Sequence, residues 1–148
     1  MKQESSILLA DDSEDDLMLM KMAYKQSGLT HPLHSVNGGV QAIAYLHGDG
    51  AFADRTRYPL PSLLLLDLNM PIKSGFEVLS WVRSQPGLRR LPVVLLTTSD
   101  EPADINRAYD LGVNSYAVKP AAFGGLLDLL KRLESWWLTA NQGPNLRH

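Results

Sequence analysis

"LLLLDLNMP", Leu63 to Pro71, decides how this chain is read. Four consecutive leucines leave no polar alternation, so the segment fits a strand buried on both faces, as in a parallel sheet. Asp67 follows at once, and Pro71 and Gly75 end the pattern. A carboxylate at the end of so apolar a strand is costly unless it has a partner or a task.

Four more short apolar runs stand around this one. Ile7 to Ala10 ends in Asp11-Asp12, and Leu33 to Val36 ends in the turn residues Asn37-Gly38-Gly39. Val93 to Leu96 ends in Thr97-Thr98-Ser99, and Ser115 to Val118 ends in Lys119-Pro120. Helical spacing fills the intervals. Ser13 and Asp16 predict a capping box for a first helix carrying Leu17, Met20 and Tyr24, and Gly28 ends it. Val40, Ile43, Ala44 and Leu46 predict a second helix, and residues 48–61 a loop. Phe76, Leu79 and Val82 predict a third helix ending near Pro86-Gly87. Ile105, Ala108 and Leu111 predict a fourth behind Pro102, and a last amphipathic helix spans Phe123 to Leu138. Strands alternating with helices predict an α/β fold with a five-stranded parallel sheet and helices on both faces. The flavodoxin-like order 2-1-3-4-5 is the common small solution. One domain over residues 1–138 and a mobile tail over 139–148 are expected.

In open parallel sheets, sites form at the carboxyl ends of the strands beside the point where strand order reverses. In the assumed order the first and third strands flank that point. Asp11, Asp12 and Asp67 then crowd one corner, with Thr97 and Lys119 beside them. Two unit charges 4 Å apart repel by about 4 kcal/mol at an effective dielectric near 20. Either one acid takes up a proton or a cation neutralises the group. An oxygen-preferring divalent ion suits this set; Mg²⁺ takes one or two carboxylates plus phosphate oxygens, which points to phosphoryl chemistry.

Composition narrows the function classes. A formal net charge of -2 gives no polyanion-binding surface, so nucleic acid is not an expected partner. The absence of cysteine excludes disulfides and thiolate metal sites. The polar start MKQESS and the brief run after it are neither a signal peptide nor a membrane span, and a cytoplasmic location is the simplest expectation. His31, His34, His47 and His148 show no metal-ligand spacing, and Met18, Met20 and Met22 read as helix packing.

Asp11-Asp12, "DLNMPIKSG" from Asp67, "PVVLLTTS" from Pro92 and "SYAVKP" from Ser115 together resemble the receiver domain of two-component response regulators. The resemblance runs from Ser6 to Leu138. It implies Asp67 as phosphoacceptor, Asp12 as a direct metal ligand, Asp11 as holder of a water of the metal, and Asn69 as donor of a backbone carbonyl to it. Lys119 matches the lysine that pairs with the phosphoryl group, Thr97 the switch hydroxyl, and Tyr116 the aromatic that follows it. It also implies Mg²⁺, a histidine kinase as phosphoryl donor and a cis Lys119–Pro120 bond. The long segment before the third strand, "ADINRAYDLGVNSY" and Trp136-Trp137 are similar to the single-domain regulators that partner phytochrome-type light-sensing kinases. Thr98, the length of residues 48–61 and Ala121 depart from the commoner receiver pattern without removing a required chemical group.

Adjacent residues on a helix cannot both face one core, so one of Trp136 and Trp137 is expected inside and the other outside. An exposed tryptophan is a candidate anchor for a homodimer through the last helix. Three other functions make demands that the sequence does not meet. An interaction module acting without phosphorylation would lack one of the acids, the threonine or the lysine. An aspartyl phosphatase needs a second acid two residues after the nucleophile, where Asn69 stands. A flavin carrier needs a phosphate-cradling loop after the first strand, where Asp11-Asp12 would repel the phosphate.

Overall fold

Leu63–Leu66 forms β3, and all four leucines are fully buried. Their side chains alternate between two cores. Leu64 and Leu66 join Leu8, Ala10, Val93 and Leu95 on one face of the sheet. Leu63 and Leu65 join Ile7, Leu9, Val94 and Leu96 on the other. Each buried leucine contributes roughly 1.5–3 kcal/mol from area removed from water. The structure is a computed structural model and describes residues 5–146.

The strands are β1 (Ile7–Asp11), β2 (Leu33–Asn37), β3, β4 (Val93–Thr97) and β5 (Ser115–Val118). They form one parallel sheet in the order β2-β1-β3-β4-β5, as expected from the sequence. The helices are α1 (Glu14–Gln26), α2 (Gly39–His47), α3 (Gly75–Ser84), α4 (Pro102–Asp110) and α5 (Phe123–Glu134). Residues of α1 and α5, including Met20, Ala23, Leu126 and Leu130, cover one face. Residues of α2, α3 and α4, including Tyr45, Leu79, Val82 and Ala108, cover the other.

Several local expectations need correction. Helix α2 buries Ala42, Tyr45 and Leu46, whereas Val40 is half exposed. Tyr45 turns its ring onto Phe52 and Tyr58 of the following segment, and that aromatic cluster sets the helix face. Residues 48–61 are therefore an ordered cover with a 3-10 turn at Gly50–Phe52. The Arg55 guanidinium donates to the carbonyls of Tyr45 (2.7 Å), Leu46 (2.8 Å) and Tyr58 (3.1 Å), satisfying the end of α2. Helix α3 does end near Pro86-Gly87 as expected: it stops at Ser84, because the residue preceding a proline is pushed away from helical geometry. After Glu134 the last helix widens into a π-type turn over Ser135–Ala140, closed by the Asn141 amide on the Trp136 carbonyl (2.7 Å), so helical backbone runs past Leu138. Trp137 packs on the α1–α5 core and Trp136 is 55% exposed. Leu146 of the tail packs against the opposite core; residues 147 and 148 lie outside the described residues. No described peptide bond is cis, Lys119–Pro120 included, contrary to the resemblance; the trans form is the intrinsically favoured isomer of an X–Pro bond. No described helix is long and apolar enough to cross a membrane.

Candidate functional site

The sheet delivers the site residues by prolonging its ladders past the strand ends. The Asp67 amide donates to the Ala10 carbonyl (2.9 Å), and the Lys119 amide to the Thr97 carbonyl (2.8 Å). Asp67 is thereby fixed beside the end of β1, and Lys119 beside the end of β4. Gly75 completes the support. Its amide donates to the Leu68 carbonyl (2.8 Å), and a Cβ there would overlap the Asp67 carbonyl oxygen and come within 2.9 Å of the Leu68 Cα. Only glycine lets α3 start this close to the strand end. Ser74 caps α3 in a full capping box with Glu77, a signature legible as S-x-x-E yet absent from the expectations above.

Asp11, Asp12 and Asp67 each offer a carboxylate oxygen, and these atoms lie within 4.8 Å of one another. Asp11 and Asp67 are buried and Asp12 is exposed. Three hard oxygen donors facing one point fit a divalent cation such as Mg²⁺. Asn69 is exposed just beyond Asp67, and Thr97 is buried at the end of β4. The structure thus brings the three acids and Lys119 together.

Lys119 Nζ is 2.8 Å from Asp11 Oδ2, 3.2 Å from Asp16 Oδ2 and 3.7 Å from Asp67 Oδ1. Burial alone would lower the lysine pKa, but its hydrogen bond to Asp11 and the charges of Asp67 and Asp11 hold it above the ordinary value. Burial pushes Asp67 up to about 6; Asp11 and Asp12 act in the same direction, and Lys119 and the Leu68 amide oppose them. A nearby cation favours the charged form of a carboxylate held in this way.

The sequence assigns Asp16 only to the capping box of the first helix. Half of the expected box exists: the Asp16 amide donates to Ser13 Oγ (3.2 Å). The Ser13 amide donates instead to Asp11 Oδ1 (3.0 Å), and the Asp16 carboxylate accepts from Lys119 Nζ (3.2 Å). No sequence signal joins Asp16 to a lysine more than a hundred positions later. Ser99, which the resemblance ties with Asn69 to the lifetime of the phosphorylated form, makes contacts that the sequence does not show. Its carbonyl accepts from Tyr116 Oη (2.9 Å), and its hydroxyl donates to Asp104 Oδ2 (2.7 Å). Tyr116 is thus tied to the loop that begins just after Thr97.

The chain belongs to the response regulator receiver domain family, whose model matches residues 7–131. Within that class its likeness is to phytochrome response regulators. Response regulator Rcp1 of Synechocystis sp. is 39% identical over 89% of this chain and 88% of its own length. The Mn²⁺-bound form of Rcp1 superposes with a TM-score of 0.82, at 38% identity over 95% of this chain and 99% of that one. The phosphorylated cyanobacterial phytochrome response regulator RcpA gives 0.87, at 38% identity, covering 97% of this chain and all of that one. Response regulator RPA3017, of red light signalling in R. palustris, gives 0.89 at 32% identity, covering 95% and 99%.

Proposed function

We propose that this receiver domain accepts a phosphoryl group on Asp67 from a histidine kinase, with Mg²⁺, and so switches a protein-interaction surface. The single observation that carries the reading is the gathering of three carboxylate oxygens within 4.8 Å beside a buried ammonium. Asp11, Asp12 and Asp67, with the Asn69 backbone carbonyl, would hold the cation, which neutralises charge on the transferring group. Asp67 Oδ attacks phosphorus as its bond to the phosphohistidine nitrogen breaks. The electron pair of that bond leaves with the imidazole, and an acyl phosphate remains. Phosphoryl transfer needs positioning and charge neutralisation more than covalent help, and Lys119 supplies a positive charge at the site.

The acyl phosphate brings new negative charge and acceptor oxygens. Thr97 is the hydroxyl that would turn to them, and Tyr116 would follow as the loop around Ser99 shifts. Only contacts that differ between the two states can move the balance, and the Tyr116–Ser99 bond is one that such a shift must break or remake. The fold itself assists phosphorylation and hydrolysis at Asp67, and the domain acts as a signalling element, not as a metabolic enzyme. The likeness to phytochrome regulators supports a phytochrome-type kinase as donor and light as the input. A second copy of the chain is the proposed further partner, through the last helix, where Trp136 is 55% exposed.

Incubation with acetyl phosphate and Mg²⁺, read by intact mass, tests the reading. One phosphate per chain is expected, lost on chelation of the metal and in Asp67→Asn. Uptake that survives either change would refute it.

A further inference from the structure

We propose that Asp16, in the first turn of α1, is a positioning residue that holds Lys119 back from Asp67 until a phosphoryl group arrives. The inference rests on the phosphoacceptor reading above and names a regulator of that site. The ammonium lies nearest Asp11 and Asp16, at 2.8 and 3.2 Å, and 3.7 Å from Asp67. It therefore sits on the α1 side of the acidic corner, off the atom that is to bond phosphorus. Asp16 is outside the trio that converges for a metal, which is Asp11, Asp12 and Asp67. Its carboxylate is also released from helix capping, since the Ser13 amide is taken by Asp11. What remains for that carboxylate is Lys119.

The energetics favour a regulator over a permanent brace. The Lys119 side chain is 13% exposed and that of Asp16 is 46% exposed. A pair so open to water is weakened by screening and is easily exchanged. A phosphoryl group on Asp67 carries about two negative charges and outbids the half-solvated Asp16 carboxylate, which makes the longer and more exposed of the two hydrogen bonds to the ammonium. Lys119 then leaves Asp16 and turns to the phosphoryl oxygens. The Asp16 pair is thus a contact present before phosphorylation and lost after it, which makes it a competitor that slows the arrival of Lys119.

Two measurements on the full chain test this. In the first, phosphate uptake from acetyl phosphate is timed at saturating Mg²⁺ for wild type, Asp16→Asn and Asp16→Glu. Asp16→Asn is expected to be faster by about two- to fivefold, and Asp16→Glu to return to the wild-type rate. The second is a double-mutant cycle on Mg²⁺ affinity, by calorimetry without phosphate, using Asp16→Asn and Lys119→Gln. Freed by Asp16→Asn, Lys119 competes with the cation for Asp67 and Asp11, so affinity falls about two- to fivefold. With Lys119→Gln already in place, Asp16→Asn should change affinity by less than half as much. A rate for Asp16→Asn at or below wild type, or a metal effect undiminished by Lys119→Gln, overturns the proposal. Failure of wild type to take up phosphate would overturn the phosphoacceptor reading instead, and the cycle would still decide whether Asp16 acts through Lys119.

Discussion

Asp67 concentrates the tension in this fold. Burial and two neighbouring acids raise its pKa from 3.8 to about 6. Between pH 4 and 6 the unfolded chain gives up this proton while the folded chain keeps it. Stability from this group is therefore full below the unfolded pKa and is lost as pH rises through the folded one. The shift corresponds to a penalty on the order of 3 kcal/mol at neutral pH. Asp67→Asn removes it, so that variant should be more stable than wild type at pH 7 by about 1–3 kcal/mol in metal-free buffer. The gap should close on acidification below pH 4, which urea melts at a series of pH values would show. Mg²⁺ must compete with the same proton, so its affinity should drop roughly tenfold for each pH unit below 6. Alone, Asp67 reads equally well as a turn or capping acid; it was legible as a candidate because Asp11, Asp12, Thr97 and Lys119 stand at the ends of other strands. Asp16 was not, since only the folded chain brings α1 beside the end of β5.

At the scale of elements, strand identity was readable wherever burial on both faces left an unbroken apolar run. β1, β3 and β4 are the clear cases, and their ends supplied the candidate residues. Helix faces were less legible when a neighbouring loop supplied part of the core. Tyr45 is the instance: its 1% exposure depends on Phe52 and Tyr58, which the sequence presents as part of a polar, glycine-containing loop. Arg55 locks that loop onto α2 through three carbonyls. Arg55→Ala leaves these acceptors to water or unpaired, and should cost about 2 kcal/mol in chemical denaturation. Amide exchange should accelerate over residues 48–61 and leave β3 protected. Equal acceleration in both would mean that the loop is not a separate cover.

At the scale of the molecule, the flavodoxin-like order places two strand ends bearing acids side by side, and the rest of the chemistry follows from that topology. The order itself was an inference from the number of βα units, and the structure bears it out. The tryptophan pair divides as helix geometry demands, one inside and one outside. If Trp136 anchors a second copy, wild type should sediment as a dimer and Trp136→Ala as a monomer, with unchanged far-ultraviolet circular dichroism; equal monomers would remove the homodimer. Under the proposed function, the fold leaves one particular carboxylate oxygen free to bond phosphorus. Borohydride reduction of the phosphorylated chain, followed by peptide mass mapping, reads this directly, because an acyl phosphate is converted to an alcohol and an ordinary carboxylate is not. Reduction is expected at Asp67 alone; a reduced Asp11 or Asp12, or an untouched Asp67 in a chain that carries phosphate, would rule out Asp67 as the phosphoacceptor.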